Sequence, residues 1–152
     1  MKKVLKIAVV GLGGRGIGLL CNNMLNMNEV VVCAVCDVYA DRVAEAAKFV
    51  TDAGFPAPIQ VTDYRELLNA DIDAVVVATA WETHIEVACA FMRAGIAVGM
   101  EVGGTNSVDE CWELVRCYEE TKTPFMFLEN CCYGRIEMMV MNMIKQGLFG
   151  EI

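Results

Sequence analysis

The stretch Gly11-Leu-Gly-Gly-Arg-Gly16 decides the fold of this 152-residue chain. It has the spacing G-x-G-x-x-G and stands between an apolar run that ends at Val10 and an amphipathic segment that begins at Ile17. In such a turn Gly11 permits a tight bend, Gly13 lets the backbone approach a pyrophosphate, and Gly16 lets the helix pack against the strand. The amides that begin the helix offer a partial positive charge to phosphates. The motif therefore predicts a strand–turn–helix unit that binds a dinucleotide.

An acidic residue follows at the distance this type of site requires. Asp37 closes the next apolar run, Val30 to Cys36. A carboxylate there accepts hydrogen bonds from the adenosine ribose and repels a 2′-phosphate. The alternative is a solvated residue that caps the following helix. Because Val38 rather than an arginine comes next, and because Arg42 is expected to face solvent one turn into the helix, the pattern favours NAD over NADP.

Two more residues of the turn belong to the predicted cofactor site. Gly14 lies in the segment whose backbone would face the phosphates. Arg15 either faces the diphosphate or is an exposed loop arginine, and the sequence leaves both readings open. Neither residue is predicted to be catalytic.

Two kinds of apolar periodicity alternate along the whole chain. Helical spacing recurs between short apolar runs, and the segment Ser107-Val-Asp-Glu110 is a capping box that starts a helix over residues 108–120. The order βαβαβ(α)βαβαβα predicts an α/β fold, a Rossmann-type doubly wound parallel sheet of six strands. The predicted strands are residues 4–10, 30–36, 59–61, 74–79, 97–101 and 125–128.

Composition and charge exclude several classes of protein. Lys and Arg total 12 against 20 Asp and Glu, and the net charge of −8 argues against a nucleic-acid partner. The longest apolar run, Ala74 to Trp81, is shorter than the roughly 18 residues of a membrane span. Lys6 interrupts the apolar stretch that follows Met1-Lys-Lys3, which disfavours a signal peptide. Eight scattered cysteines fit a reducing, cytoplasmic environment.

One pair of cysteines has the spacing of a metal or redox motif. Cys33 and Cys36 are separated by two residues inside a predicted strand. Regular alternation would send the two thiols to opposite faces of the sheet. This geometry suits neither a zinc pair nor a redox couple, and the sequence predicts no metal site.

The residues described so far resemble the Gfo/Idh/MocA family of nicotinamide-dependent oxidoreductases over nearly the whole chain. The resemblance includes the glycine turn, Asp37, the stretch Asp73-Ala-Val-Val-Val-Ala-Thr-Ala-Trp-Glu-Thr-His84, and Gly99-Met-Glu101. It implies that several residues after the fourth, fifth and sixth strands contact the cofactor. The predicted set is Thr79, Ala80, Trp81, His84, Glu101 and Asn130.

Three of those assignments have structural alternatives. Trp81 either packs on the cofactor or is a hydrophobic residue at a helix entry. His84, the single histidine, either lies on the cofactor side or is a satisfied structural group, and Glu101 could be a loop acid. By resemblance Glu101 reaches the nicotinamide ribose and Asn130 reaches the ribose or the carboxamide. Tyr133 and Arg135 either face a sugar substrate or contact a second domain.

The chain also departs from the family pattern. The family motifs Thr-Pro-x-x-x-His and Glu-Lys-Pro are altered in this chain. Ala80 and Gly103 stand where the family has proline, and Val102 stands where it has lysine. Val102 cannot perform the acid–base chemistry that the family lysine supplies to dehydrogenases. A second resemblance, to glycoside hydrolase family 109, rests on residues 81–84, Glu101-Val102, residues 128–130 and residues 142–150. It implies an NAD-dependent α-N-acetylgalactosaminidase-like reaction through transient C3 oxidation and elimination.

The resemblance implies a division into domains and leaves three functions open. Residues 1–147 are predicted to be the NAD-binding domain, and residues 148–152 the start of an absent C-terminal domain. The candidates are an oxidoreductase acting on a sugar-like substrate, an NAD-dependent glycosidase, and a non-catalytic NAD-binding module. The chain alone is predicted to bind the dinucleotide with little turnover. The helix over 134–147 is expected to leave an apolar face uncovered, which favours a homo-oligomer.

Overall fold

The computed structural model describes residues 4–151 and contains one sheet of six parallel strands, as the sequence predicts. Residues 1–3 and 152 lie outside the described residues. They are the first residues of the predicted NAD-binding domain and the last residue of the predicted start of a second domain. The strand order is β3-β2-β1-β4-β5-β6, so the chain crosses over between β3 and β4 and the central pair is β1 and β4. The strands are β1 (Leu5–Val10), β2 (Val30–Cys36), β3 (Ile59–Val61), β4 (Ala74–Val77), β5 (Ala97–Met100) and β6 (Phe125–Phe127).

Five α-helices connect the strands and flank the sheet. The capping box at the start of α4 is formed as predicted: the Ser107 side chain accepts from the Glu110 amide, and the Glu110 carboxylate accepts from the Ser107 amide. Strand β4 ends two residues earlier than predicted, so Thr79 lies in the turn that follows it. The helices are α1 (Gly14–Asn22), α2 (Ala40–Asp52), α3 (His84–Arg93), α4 (Val108–Thr121) and α5 (Arg135–Lys145).

Two apolar cores lie on opposite faces of the sheet. One contains buried residues of α1 and α2, such as Leu20 and Val43, together with Val9 and Val35. The other contains buried residues of α3 and α4, such as Phe91, with strand residues between them. Because both faces of the sheet are covered, the strands are apolar almost throughout, as is usual for parallel sheets.

The predicted orientation of the two strand cysteines is wrong. The pairing of β1 with β2 shifts between Ile7 and Ala8, so that Cys33 is the extra residue of a β-bulge. Beyond the bulge the alternation is reversed, and Cys33 and Cys36 both pack on the α3–α4 core. Both thiols are free, and burial raises the pKa of Cys36 to about 12 and also raises that of Cys33. The pair is therefore a structural part of the core.

Helix α5 has none of its side chains buried. Its apolar residues and those of the following turn are exposed, and they form a surface that we call the α5 face. Among residues 4–151 no helix combines the length and the apolar character needed to cross a membrane. The α5 face consists of Ile136, Met138, Met139, Val140, Met141, Ile144, Leu148 and Phe149.

Candidate functional site

The glycine turn lies where the strand order reverses, at the carboxyl ends of β1 and β4. Gly11 has a φ of +93°, and a Cβ there would overlap the carbonyl of Ala78. A Cβ on Gly16 would overlap the Gly11 carbonyl. These two glycines are thus required by the packing of the turn itself, so they hold α1 close to the sheet whether or not a ligand binds.

The other two glycines of the turn face open space. A Cβ on Gly13 or on Gly14 would have no heavy atom within 4 Å. Gly13 is the N-cap of α1, and within residues 4–151 no side chain caps this helix and no acidic residue lies in its first turn. The amides at the start of α1 are therefore available to an anion, and the surface above them fits a diphosphate.

Asp37 connects the end of β2 to the glycine turn. One carboxylate oxygen, Oδ2, accepts a hydrogen bond from the Leu12 amide at 2.7 Å, and Oδ1 accepts one from the Tyr39 amide at 3.0 Å. The residue is buried. The alternative reading of a solvated helix cap is therefore wrong. The position agrees with a carboxylate held ready for ribose hydroxyls.

Arg42 does not simply face solvent, contrary to the expectation from the sequence. Its guanidinium Cζ lies 4.6 Å from the centre of the Tyr39 ring, and its Nη1 lies 3.7 Å from Asp37 Oδ2. The helical position is as predicted, but the side chain folds back along the first turn of α2. An arginine that was expected to face solvent therefore stands beside the acid.

A cavity of about 610 Å³ opens beside these residues. It is bordered by the ends of β1, β2 and β4, the start of α2 and the turn after β3. Its volume is in the range of small-molecule and cofactor sites. Its walls include Gly11, Asp37, Val38, Tyr39, Arg42, Tyr64, Arg65, Thr79, Ala80 and Glu86.

Part of this wall was not identified from the sequence. The Tyr64 hydroxyl donates to Glu86 Oε1 at 2.7 Å, and Arg65 Nη2 donates to the same oxygen at 2.8 Å. Burial, together with this hydrogen bond, raises the pKa of Tyr64 to about 12, so its hydroxyl stays protonated at neutral pH. The three residues lie on a short 3₁₀ turn and on α3, and no spacing pattern in the sequence links them.

Arg15 and Glu101 contact each other directly. Arg15 Nη2 lies 2.9 Å from Glu101 Oε1, with the guanidinium half exposed and the carboxylate largely buried. This close contact with the Glu101 carboxylate raises the pKa of Arg15. Arg15 is exposed and Glu101 lies in the loop directly after β5, but the two side chains form an ion pair with each other.

His84 is a buried and neutral residue at the start of α3. Its Nε2 lies 3.0 Å from the Thr79 carbonyl oxygen, and because a carbonyl only accepts, Nε2 carries the proton. Burial lowers the pKa of the imidazole. Within the described part of the chain, Nδ1 is buried and has no hydrogen-bond partner. The hydrogen bond from the buried His84 ring thus stabilises the turn at Thr79.

The loop after β5 explains why a glycine rather than a proline stands at position 103. Gly103 and Gly104 have φ values of +84° and +94°, which proline cannot adopt. A Cβ on Gly103 would lie 2.5 Å from the Trp81 ring, and one on Gly104 would overlap the His84 ring. Trp81, which is largely exposed and does not line the 610 Å³ cavity, therefore packs on the backbone that follows Glu101. No spacing pattern in the sequence connects Gly103 with Trp81.

The residues after β6 do not line the cavity. Asn130 precedes a 3₁₀ turn over Cys131–Tyr133 and is exposed, as are Tyr133 and Arg135. The Cys131 amide donates to Glu129 Oε1 at 2.6 Å, which lowers the pKa of Glu129. The structure thus gathers the predicted residues of β1, β2, β4 and β5. Asn130 lies on the surface between Glu129 and Cys131, which are close enough to Arg15 to raise its pKa, and Tyr133 and Arg135 follow on the exposed turn and at the start of α5.

The reversed strand order, the open glycine turn and the buried acid after β2 define a dinucleotide-binding Rossmann domain. A sequence model of a protein family, named GFO_IDH_MocA and described as "Oxidoreductase family, NAD-binding Rossmann fold", matches residues 5–128. The chain belongs to this Gfo/Idh/MocA family, and the matched unit is its NAD-binding domain.

Curated relatives agree with the second resemblance. The chain is 41% identical over 155 residues to a protein of Saccharopolyspora erythraea named glycosyl hydrolase family 109 protein, covering 99% of this chain and 34% of the relative. It is 37% identical to an alpha-N-acetylgalactosaminidase of Bacteroides fragilis, covering 98% of this chain and 36% of that protein. The chain thus spans about a third of the length of these relatives.

Solved structures share the fold at lower identity. Apo scyllo-inositol dehydrogenase from Lactobacillus casei superposes with a TM-score of 0.88 at 20% identity, covering 100% of this chain and 44% of that one. The form of that enzyme with bound NAD(H) and scyllo-inositol gives a TM-score of 0.86, again at 20% identity, with 99% and 43% covered. The predicted Rossmann-type fold and the predicted family are confirmed.

Proposed function

We propose that this chain binds NAD across the carboxyl ends of β1, β2, β4 and β5. The observation that carries the proposal is the open space above Gly13 and Gly14 at the uncapped start of α1, beside the buried carboxylate of Asp37. The diphosphate lies on the α1 amides and the adenosine ribose donates to Asp37. The adenosine end occupies the 610 Å³ cavity, with Thr79 and Ala80 on its wall.

Toward the nicotinamide, the chain provides the ion pair of Arg15 and Glu101. Bound NAD supplies reversible hydride transfer. Glu101 would accept hydrogen bonds from the nicotinamide ribose, and Arg15 would hold the Glu101 carboxylate in place. Trp81 and His84 hold the backbone on either side of this position. Asn130 completes the nicotinamide end from the turn after β6.

For the whole protein we propose an oxidoreductase mechanism on a sugar or a sugar-like substrate. The chain spans about a third of the length of its relatives, which supports a second domain in the whole protein. In this proposal residues 1–147 form the NAD-binding domain and residues 148–152 lead into the second one. Tyr133 and Arg135, which are exposed, face the sugar from the side of that domain. All eight cysteines are free thiols, which supports a cytoplasmic location.

The alternative for the whole protein is an NAD-dependent glycosidase. It is supported by relatives named as family 109 glycosyl hydrolases and as an alpha-N-acetylgalactosaminidase. Val102 at the position of the family lysine also favours it, since a valine cannot exchange protons with a substrate hydroxyl. The experiment uses the protein encoded by the whole reading frame that contains this chain. Assays of that protein with a nitrophenyl α-N-acetylgalactosaminide and with scyllo-inositol distinguish the glycosidase from the dehydrogenase. Nitrophenol release without net NADH supports the glycosidase, and NADH accumulation supports the dehydrogenase.

The binding proposal is tested by Gly13→Ala. The new methyl group meets no heavy atom within 4 Å, so the fold is kept, but it projects where the diphosphate approaches. We expect calorimetry to show NAD binding to the natural chain and a loss of roughly tenfold or more in the variant. The control is Gly18→Ala, inside α1, whose Cβ would lie 3.9 Å from Asn22 Nδ2. Failure of the natural chain to bind NAD, or equal binding by Gly13→Ala, would overturn the proposal.

A further inference from the structure

The adenosine end of the cavity carries a cation as well as an acid. Arg42 Nη1 stands 3.7 Å from Asp37 Oδ2, and the guanidinium lies over the Tyr39 ring. All three residues line the same 610 Å³ cavity. The preference for NAD predicted from the sequence depends on Asp37, on Val38 and on the expectation that Arg42 faces solvent, and this last expectation does not account for the contact between Arg42 and Asp37.

The two members of this pair differ in how firmly they are held. Both oxygens of Asp37 accept hydrogen bonds from backbone amides, those of Leu12 and Tyr39, so the carboxylate cannot swing away. Arg42 is almost half exposed, and its contact with Asp37 is longer than a hydrogen bond. The guanidinium is therefore free to turn toward another anion while its plane stays on Tyr39.

We propose that Arg42 is a specificity-determining residue that binds the 2′-phosphate of NADP, so that this chain accepts both dinucleotides. This proposal rests on the proposed binding of NAD. A guanidinium pairs with a phosphate through two parallel hydrogen bonds, which a 3.7 Å contact with one carboxylate oxygen does not match. The fixed charge of Asp37 opposes the phosphate, and the ratio of the two affinities is set by the Asp37–Arg42 pair.

A second arginine in the cavity wall is already engaged. Arg65 contacts Asp63 at 3.3 Å and Glu86 at 2.8 Å, and it lies over Tyr64. Two carboxylates other than Asp37 thus hold it. Arg65 is therefore a matched control: it has the same charge, lines the same cavity and is also stacked on a tyrosine.

The test measures NAD and NADP affinities by calorimetry at one fixed salt concentration. The proteins are the natural chain, Asp37→Asn, Arg42→Ala, the double variant and Arg65→Ala. Asp37→Asn keeps an oxygen for the backbone amides and removes the charge. We expect the natural chain to bind NAD more tightly than NADP, and Asp37→Asn to raise the NADP-to-NAD affinity ratio by roughly tenfold or more. We expect Arg42→Ala to lower NADP affinity by roughly tenfold in both backgrounds.

The outcomes distinguish this proposal from the binding proposal itself. If the natural chain binds neither dinucleotide, the proposed function fails and the inference fails with it. If NAD binds but Arg42→Ala leaves the NADP-to-NAD ratio unchanged, only the inference is wrong. If Arg65→Ala lowers the ratio as much as Arg42→Ala does, the cation is not specific and the inference is also wrong. Circular dichroism of each variant verifies that the fold is retained.

Discussion

The Arg15 guanidinium and the Glu101 carboxylate meet across the central strand β4, with Nη2 and Oε1 2.9 Å apart. The pair joins the glycine turn after β1 to the end of β5. Because Arg15 is half exposed, the pair contributes less than about 1 kcal/mol to the free energy of unfolding. Its importance lies in its position, since a dinucleotide laid from Asp37 to the nicotinamide end passes both residues.

The first prediction separates the two ends of the site. Glu101→Gln should weaken NAD binding by roughly tenfold or more, because a charged acceptor for ribose hydroxyls is lost. ADP lacks the nicotinamide ribose, so its affinity should not change. Asp37→Ala should weaken the binding of both ligands. Calorimetric titrations with NAD and ADP provide the measurement.

The control for the Glu101 variant is Glu82→Gln, an exposed carboxylate in the 3₁₀ turn beside Trp81. It removes the same charge without touching the predicted ribose position. A loss of ADP affinity in Glu101→Gln equal to the loss of NAD affinity would contradict the assignment of Glu101.

The second prediction concerns the loop after β5. Gly104→Ala should lower the free energy of unfolding by roughly 2–4 kcal/mol, because a positive φ is strained and the methyl group overlaps the His84 ring. The matched control is Gly95→Ala, with a φ of +77° and open space around its Cβ. That variant should cost only the backbone strain, about 1–2 kcal/mol. Urea unfolding of both variants measures the difference, and equal losses would show that the His84 contact is unimportant.

The third prediction is a pH dependence of stability. Burial holds the pKa of His84 below its ordinary value of 6.5, so the unfolded chain takes up its proton at higher pH than the folded chain does. The stabilisation of the neutral imidazole is complete above pH 6.5 and is lost as the pH falls below that value. The free energy of unfolding should decrease by at most about 1.4 kcal/mol for each pH unit in this window.

Urea titrations between about pH 7.5 and pH 5.5 measure this slope. His84→Gln keeps an amide donor for the Thr79 carbonyl but cannot titrate. Since His84 is the single histidine, the slope should disappear in this variant. An unchanged slope would assign the effect to carboxylates instead.

The fourth prediction concerns the α5 face, whose exposure agrees with the predicted apolar surface. In light scattering the natural chain should show a mass above 16.7 kDa that rises with concentration. The double variant Ile136→Glu with Met139→Glu should have the mass of a monomer at all concentrations. Val108→Glu, at an exposed apolar residue elsewhere, is the control. A monomer at all concentrations for the natural chain would exclude the predicted homo-oligomer for this chain.

The sequence predicted the parts of the molecule that depend on local patterns. The sheet order follows from the alternation of apolar strands and helices, and the capping box at Ser107 was visible as a four-residue motif. The bulge at Cys33 was not predictable, because the skipped residue is as apolar as its neighbours and its position depends on pairing with β1. Strand periodicity alone therefore gave the wrong face for one cysteine.

The side-chain contacts of the site were also beyond sequence patterns. Arg42 has the spacing of a solvent-facing residue, and its position over Tyr39 depends on a rotamer. The relation between Gly103 and Trp81 joins two loops 22 residues apart, and only the folded backbone brings them together. By contrast, Asp37 was placed at the end of β2 correctly, and because β2 pairs with β1 its carboxylate reaches the glycine turn at the Leu12 amide.

The single extra residue in β2 has a directional consequence for the acid that follows it. Val35 packs on the α1–α2 core and Cys36 on the opposite one, so by alternation the next position, Asp37, turns toward α1 and the Leu12 amide. If Cys33 instead took part in regular alternation, every residue after it would face the opposite side of the sheet, and the carboxylate would point to the α3 side, away from the glycine turn. The bulge thus absorbs one residue of β2, and an added residue that no bulge absorbed would turn the acid out of the nucleotide's reach while leaving every residue of the motif in place.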